Sequence, residues 1–381
     1  MQDLVLLGGG HAHAIALRLF GITPLPGVRL TLISENFETA YSGMLPGHVA
    51  GIYSHEGCHI DLNELAKFAK AQVFVDQAIG LDLQANQVFC GNHPPLPFDV
   101  LSIDIGSTPH LPAGLVGMDR VIPAKPVHHF LEQWRSLLHT VAQQRDRPLQ
   151  LGIVGGGAGG VELALNMQRR LQDLLKAAEK PLSNISLHLL HRGSQLLPRH
   201  PPWVGDRVHQ IFEHRGIQLH LNETVHTVKL PHVRCVSGFE LQCDYLFWVT
   251  QATAPKWLGA AGLAVNDAGF LLVDNTLRSL SHPHIFAVGD IATMVNHPRP
   301  KAGVFAVRQG KPLVENFRRL VQGQPLKPFH PQKRYLSLIG TADDQAIAVW
   351  GKLSGQSKWF WQWKDHLDRQ FMQRFKNLPD S

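Results

Sequence analysis

A glycine-rich turn between an apolar strand and a helix constrains this chain more than any other feature. Leu151 to Val154 predicts a buried strand, and Gly155, Gly157 and Gly160 then complete the pattern G-x-G-x-x-G ahead of a segment with helical periodicity. The first glycine permits a tight turn, the second lets the backbone approach a pyrophosphate, and the third lets helix and strand pack closely. Because strand, fingerprint and helix follow in that order, the sequence predicts a dinucleotide-binding fold.

The first residues of the chain carry an incomplete copy of this pattern. Four apolar residues predict a strand and Gly8 and Gly10 follow it, but His13 stands at the third glycine position. Val28 to Ile33 predicts the next parallel strand, and Glu35 follows where a carboxylate accepts hydrogen bonds from an adenosine ribose. On these residues alone, an ordinary strand-to-helix turn remains an alternative.

A later strand, Ile285 to Val288, ends in Gly289 and Asp290 and indicates that the first site binds a flavin. We expect Asp290 to accept a hydrogen bond from a ribityl hydroxyl of FAD at the start of a helix, whose positive end would face the flavin. Lys301 begins a predicted helix over 302–320 and is a candidate partner for the flavin N1/O2 edge or for an acceptor's oxygen, with a solvent lysine as the alternative. The predicted FAD contacts are Gly8, Gly10, His11, Ala12, His13, Glu35, Ser42, Gly43, Gly106, Gly289, Asp290 and Ala302.

The choice between NADH and NADPH depends on the end of the strand after the second fingerprint. Ile185 to Leu190 ends in His191 and Arg192, where an acidic residue would bind both ribose hydroxyls of NAD. An arginine pairs instead with a 2'-phosphate, so Arg192 favours NADPH. A solvated turn at Arg192 remains the alternative.

Composition narrows the class of protein. With 381 residues, 44% hydrophobic and 17% charged, the chain is long enough for two or three folded domains. Its net charge of +6 suits an anionic cofactor, an anionic membrane surface or nucleic acid, and charge alone does not choose among them. We expect no nucleic-acid partner. Four scattered cysteines form no C-x-x-C pair, and the histidine spacings match no zinc site, so we expect a cytoplasmic protein without a redox dithiol or a metal.

These motifs together resemble the pyridine nucleotide-disulfide oxidoreductase superfamily, from residue 1 to about 320. The resemblance implies a split FAD domain (1–112 and 266–325), an inserted NAD(P) domain (113–265) and a C-terminal region (326–381), all α/β with two Rossmann-like domains. Without a C-x-x-x-x-C dithiol, the chain is most similar to the branch of type II NADH dehydrogenases and sulfide:quinone reductases. In that branch the loop at Ser42 and Gly43 lies beside the isoalloxazine, and Glu162 lies near the nicotinamide.

Three further segments narrow the resemblance. Lys301 to Gly310, Trp359 to Met372 and the Gly-Gly-Gly-His-Ala-His opening resemble an NADH-dehydrogenase-like flavoprotein found alone or fused ahead of selenophosphate synthetase. We therefore expect an FAD-dependent NAD(P)H:acceptor oxidoreductase, with Glu162 and Lys301 as candidate catalytic residues and a quinone or another small molecule as acceptor. Reduction of a selenium or sulfur species and a slow redox sensor that docks to a partner are the alternatives.

An aromatic stripe near the C-terminus bears on the acceptor. Trp359, Trp363, Leu367, Phe371 and Phe375 recur every four residues, with basic residues beside them, which predicts an amphipathic helix. Such a helix either lies in the inner face of a membrane, giving a peripheral protein, or packs on the FAD domain or on a second subunit of a homodimer. Both possibilities remain open at the level of sequence.

Overall fold

The computed structural model describes residues 1–109, 111–112, 115, 119–143, 148–250 and 252–379. It is a mixed α/β fold with two five-stranded parallel sheets, so the predicted fold class is confirmed. The predicted domain boundary at residue 113 lies outside the described residues, and the domain limits stay a prediction.

The secondary structure follows in chain order. The first third contains β1 (Gln2–Leu7), α1 (His11–Ile22), β2 (Val28–Ser34), β3 (Glu38–Ala40), α2 (Leu45–Val49), α3 (His55–Cys58), β4 (His59–Asp61), α4 (Leu62–Phe68), β5 (Gln72–Val75), β6 (Ala78–Asp82), β7 (Gln87–Cys90), β8 (Leu96–Pro97), β9 (Val100–Ile103) and β10 (Thr108–Pro109). The middle contains β11 (Val121–Pro123), α5 (Val127–Gln143), β12 (Leu149–Val154), α6 (Ala158–Ala177), a 3₁₀ turn (Leu182–Asn184), β13 (Ile185–His191), α7 (Pro202–Arg215), β14 (Gln218–Leu221), β15 (Val225–Lys229), β16 (His232–Cys235), β17 (Glu240–Gln242), β18 (Tyr245–Trp248), β19 (Ala252–Thr253) and α8 (Trp257–Ala260). The last part contains β20 (Leu271–Val273), β21 (Ile285–Ala287), a 3₁₀ turn (Gly289–Ile291), β22 (Ala292–Met294), α9 (Gly303–Val321), β23 (Ser337–Gly340), β24 (Ala346–Trp350), β25 (Leu353–Ser357) and α10 (Lys358–Lys376).

The two large sheets place their glycine loops alike. The first has the order β21-β9-β1-β2-β5 and the second the order β11-β18-β12-β13-β14, with every neighbouring pair parallel. Both are built from continuous apolar runs, because helices cover both faces of a parallel sheet. In each sheet the glycine loop follows the middle strand, β1 or β12, where ligands bind in open α/β folds.

Two predicted features differ in the structure. Gly289 and Asp290 begin a single 3₁₀ turn instead of a helix, because β22 follows at once. The helix with the expected dipole is α9, which begins at Gly303.

Among the described residues, none of the helices combines the length and apolar character that crossing a bilayer requires.

Candidate active site

A cavity of about 760 Å³ opens at the carboxyl ends of the first sheet. Its size lies in the range of small-molecule and cofactor sites. Predicted residues that line it are Gly8, Gly10, His11, Glu35, Ser42, Gly106 and Asp290. The structure places Ala12, His13, Gly43, Gly289, Lys301 and Ala302 outside its wall. Gly303, one residue after the predicted Ala302, lines it instead and brings the N-terminus of α9 to the cavity.

Asp104, at the end of β9, organises the first glycine loop and was not predicted. Its Oδ2 accepts hydrogen bonds from the amides of Ala12 (2.9 Å) and His13 (3.2 Å), and its carbonyl oxygen accepts one from the amide of Gly10. These amides were expected to face a pyrophosphate. In the structure Asp104 accepts from them and caps the helix, and a pyrophosphate contact at this helix stays a prediction. Burial raises the pKa of Asp104 to about 7.

His13 has a structural role at the third position of the first glycine pattern. Its ring is fully buried, with Nδ1 2.7 Å from the carbonyl oxygen of Gly8 and Nε2 2.8 Å from the hydroxyl of Ser102. The imidazole therefore ties α1 to β1 and β9, where a glycine would only allow close approach. Burial lowers its pKa to about 4, so the ring is neutral at pH 7.

The walls of the cavity offer polar groups and space that fit FAD. His11 lines the cavity, and its buried Nε2 has no hydrogen-bond partner within the described chain. Burial lowers the pKa of His11 to about 4, which keeps this imidazole neutral at pH 7. Gly106 has φ +72°, and a Cβ there would meet no described atom within 4 Å. A buried unpaired nitrogen beside open space is what a bound polar cofactor would complete.

A lysine between β11 and α5 contacts Asp290 at the cavity wall. Lys125 Nζ donates to Asp290 Oδ2 and to the hydroxyl of Ser107, both at 2.9 Å. Burial opposes ionisation of Asp290, yet Lys125 and Lys301 hold the pKa of its carboxyl below the usual value. The predicted lysine, Lys301, donates instead to the carbonyl oxygen of Ala292 and to a threonine hydroxyl. Lys125, which the sequence did not single out, is therefore the lysine that pairs with Asp290 at the cavity wall.

The second glycine loop has the predicted strand-turn-helix form. A Cβ at Gly160 would lie 1.8 Å from the carbonyl oxygen of Gly155, so only glycine lets α6 approach the strand this closely. A Cβ at Gly157 would meet no described atom within 4 Å, which leaves room beside the loop. His191 Nδ1 accepts a hydrogen bond from the Gly156 amide, and the exposed Arg192 follows directly after it.

The candidate catalytic residue Glu162 is half-buried on α6, where this helix meets β23. Its Oε1 accepts a hydrogen bond from the Gly340 amide at 3.0 Å. Burial raises the pKa of this carboxyl, while Lys364 and the Gly340 amide act in the opposite direction. Glu162 thus joins the second glycine helix to the C-terminal strands.

The C-terminal helix α10 packs on the loop that leads into the cavity. Phe371 is buried and its ring centroid lies 4.5 Å from that of Tyr41. Lys364 Nζ donates to the carbonyl oxygen of Gly43 and to Asp368. The first half of the stripe is exposed instead, Trp359 at 79% and Trp363 at 47%. Packing therefore accounts for one half of the predicted stripe and leaves the other half at the surface.

Comparison with known proteins agrees with this architecture. A type II NADH:quinone oxidoreductase of Haemophilus influenzae is 27% identical over 375 residues, covering 86% of this chain and 83% of that one. The structure of NDH2 from Plasmodium falciparum in complex with NADH superposes with a TM-score of 0.82 at 16% identity, covering 97% of both chains. The sulfide:quinone oxidoreductase of Aquifex aeolicus superposes with a TM-score of 0.78 at 19% identity, covering 99% of this chain and 92% of that one. A sequence profile for pyridine nucleotide-disulphide oxidoreductases matches residues 2–310, so the chain belongs to this family of oxidoreductases and is an FAD-dependent enzyme that uses NAD(P)H.

Proposed function

We propose that the enzyme passes electrons from NAD(P)H through FAD to a quinone-class acceptor at a membrane surface. The observation that supports this proposal is the position of α10. One half of the helix packs through Phe371 on Tyr41, next to the cavity residue Ser42, and the other half exposes Trp359 and Trp363. One helix thus connects an aromatic surface to the cavity wall, and the type II NADH:quinone oxidoreductase of Haemophilus influenzae is a relative by sequence.

Bound FAD would supply the hydride acceptor, and the chain supplies the groups that hold and polarise it. Asp290 stays ionised beside Lys125 and would accept a hydrogen bond from a ribityl hydroxyl. Glu35 lines the cavity after β2, where it would accept hydrogen bonds from the adenosine ribose. Gly303 places the positive end of α9 at the cavity, where it would favour negative charge on the cofactor.

The second glycine loop would bind the nicotinamide cofactor. The open space beside Gly157 at the N-terminus of α6 suits a pyrophosphate, because the helix amides there point outward. Arg192 would pair with the 2'-phosphate of NADPH. That Glu162 lies near the bound nicotinamide stays a proposal. Its carboxylate already accepts a hydrogen bond from the Gly340 amide.

The membrane part of the proposal rests on exposed apolar side chains near α10. Besides Trp359 and Trp363, the exposed residues are Leu367 at 39%, Trp350 at 50% and Leu353 at 75%. Indole rings are favoured at the level of lipid head groups, and basic residues on α10 would add attraction to anionic lipids. Replacing both Trp359 and Trp363 by serine should reduce co-sedimentation with anionic liposomes, whereas serine at Trp203, 44% exposed on α7, should not. Equal sedimentation of the two variants would contradict the membrane contact.

A selenium or sulfur species is the second candidate acceptor, and the thiols give it little support. Among the described residues no cysteine lines the cavity. Burial raises the pKa of Cys58 to about 12 and also raises the pKa of Cys90, so neither thiol is a ready nucleophile. The connection with selenophosphate synthesis stays a prediction.

Stopped-flow reoxidation of the reduced enzyme tests the acceptor directly. The protein is reduced with NAD(P)H under anaerobic conditions and mixed with a short-chain quinone, with selenite or with polysulfide. The proposal predicts fastest reoxidation by the quinone. Faster reoxidation by selenite or polysulfide would assign the second candidate, and slow reoxidation by every acceptor would favour a redox sensor.

A further inference from the structure

Three side chains with metal-binding atoms converge on one wall of the cavity. Glu38, His55 and His59 each offer one ligand atom, and these atoms all lie within 4.8 Å of one another. All three residues line the cavity. Neither the first glycine loop nor Asp290 belongs to this group, so it is separate from the residues assigned to FAD.

The backbone holds these residues in place through regular structure. Glu38 and His59 lie on the antiparallel pair β3 and β4, where Ala40 is opposite His59. His55 begins α3, whose N-terminus is capped by the Ser54 side chain accepting the Gly57 amide. The rings of His55 and His59 are stacked with centroids 3.8 Å apart, which keeps their nitrogens close.

The hydrogen bonds of His59 leave its Nε2 free to act as a metal ligand. Its Nδ1 lies 2.9 Å from the carbonyl oxygen of His55, and since a carbonyl only accepts, Nδ1 carries the proton. The lone pair therefore sits on Nε2, the arrangement that metal-ligating histidines share. The neighbouring His48 is fixed in the same way, with Nδ1 2.8 Å from the carbonyl oxygen of Tyr53.

His55 and Glu38 complete the ligand set. His55 Nε2 lies 2.5 Å from Glu38 Oε2, and the two side chains are 43% and 46% exposed. A contact between two half-exposed side chains contributes little to stability, so it does not by itself explain why three groups converge here. Ligand atoms around tetrahedral zinc are about 3.3 Å apart, given bonds of about 2.0–2.1 Å. The separations of the three ligand atoms, from 2.5 Å to at most 4.8 Å, bracket that distance. Because the side chains of His55 and Glu38 are half-exposed, they have room to move to the distances that a bound cation requires.

We propose that Glu38, His55 and His59 bind a divalent transition-metal cation of the Zn²⁺ or Fe²⁺ type. Two imidazoles and one carboxylate are a ligand set that such cations accept, and three protein ligands leave a coordination position open toward the cavity. A cation bound at His55 Nε2 replaces the hydrogen bond between this nitrogen and Glu38, and the neutral ring then carries its proton on Nδ1.

Calorimetric titration of the flavin-loaded, chelator-treated protein with Zn²⁺ tests the site, with Co²⁺ absorption as a report on ligand geometry. We expect about one Zn²⁺ per chain with micromolar or tighter affinity. His59→Ala and the half-exposed Glu38→Gln should each weaken binding at least about tenfold, or ~1.4 kcal/mol. His209→Gln is the matched control, because His209 forms an exposed pair with Glu213.

Retained flavin absorbance and far-UV circular dichroism show that each variant is folded. Absence of saturable binding up to about 100 μM Zn²⁺ would overturn the proposal, as would equal affinity in wild type, Glu38→Gln and His59→Ala. The ligand set includes neither nicotinamide nor quinone, so this result is independent of the acceptor proposed above.

Discussion

The two glycine loops contain a matched pair of positions that separates packing from ligand binding. Gly10 precedes α1 with φ −64°, and Gly157 precedes α6 with φ −78°. Alanine adopts both backbone conformations without strain. A Cβ at Gly10 would lie 2.2–2.4 Å from the carboxyl atoms of Asp104, whereas a Cβ at Gly157 would meet no described atom within 4 Å.

Gly10→Ala should therefore destabilise the protein and release its flavin. Ordinary contact begins near 3.4 Å, so the Asp104 carboxyl must retreat by roughly 1 Å and loses its bonds to Ala12 and His13. Loss of a helix cap costs about 0.5–2 kcal/mol and overpacking costs about 1–3 kcal/mol. We expect the free energy of unfolding to fall by about 2–4 kcal/mol in total.

Gly157→Ala should change the free energy of unfolding by less than about 1 kcal/mol, because nothing has to move. It should raise the KM for NAD(P)H, since the new methyl group occupies space assigned to the cofactor. Urea unfolding followed by circular dichroism, with the ratio of flavin to protein absorbance, measures both effects. A Gly10→Ala variant with full flavin content and wild-type stability would refute the role of Asp104, as would an equal loss in Gly157→Ala.

Three further outcomes are expected from single substitutions. Burial lowers the pKa of His13 from 6.5 to about 4. The stability that the neutral His13 ring contributes is therefore fully present above pH 6.5 and is lost as the pH falls toward 4. Urea titrations over that range should show the free energy of unfolding of wild type falling by about 3 kcal/mol more than that of His13→Asn. Lys125→Met should weaken FAD binding about tenfold, since Asp290 loses its partner, whereas Lys301→Met should change FAD binding less than about threefold. Fluorescence of the released flavin measures both effects, and equal effects would argue against Lys125 as the lysine that supports Asp290. Arg192→Ala should lower the preference for NADPH over NADH in steady-state kcat/KM, and an unchanged ratio would remove Arg192 as the phosphate ligand.

Strands and glycine loops could be predicted because their signals are local. A parallel strand buried on both faces is a continuous apolar run, and Gly155, Gly157 and Gly160 follow one directly. The start of α9 was also predicted within one residue, since helical periodicity marks it. Each of these features is contained in a window of about ten residues.

The side chains that complete the cavity depend on contacts between distant segments. Asp104 follows a strand as many aspartates do, and only the fold brings it under the amides of Ala12 and His13. Lys125 lies 165 residues from Asp290, and no spacing rule connects them. For α10, periodicity predicts a helix, but only the position of Tyr41 decides which half is covered.

The central claim is that a flavin held in the cavity is reduced by a nicotinamide cofactor bound at the second glycine loop. Anaerobic titration of the purified protein with NADPH and with NADH, followed in the visible spectrum, tests it most directly. The account predicts a yellow protein with about one FAD per chain, bleached by about one equivalent of the preferred nicotinamide. A folded protein that takes up no FAD, or whose flavin neither nicotinamide reduces, would contradict it.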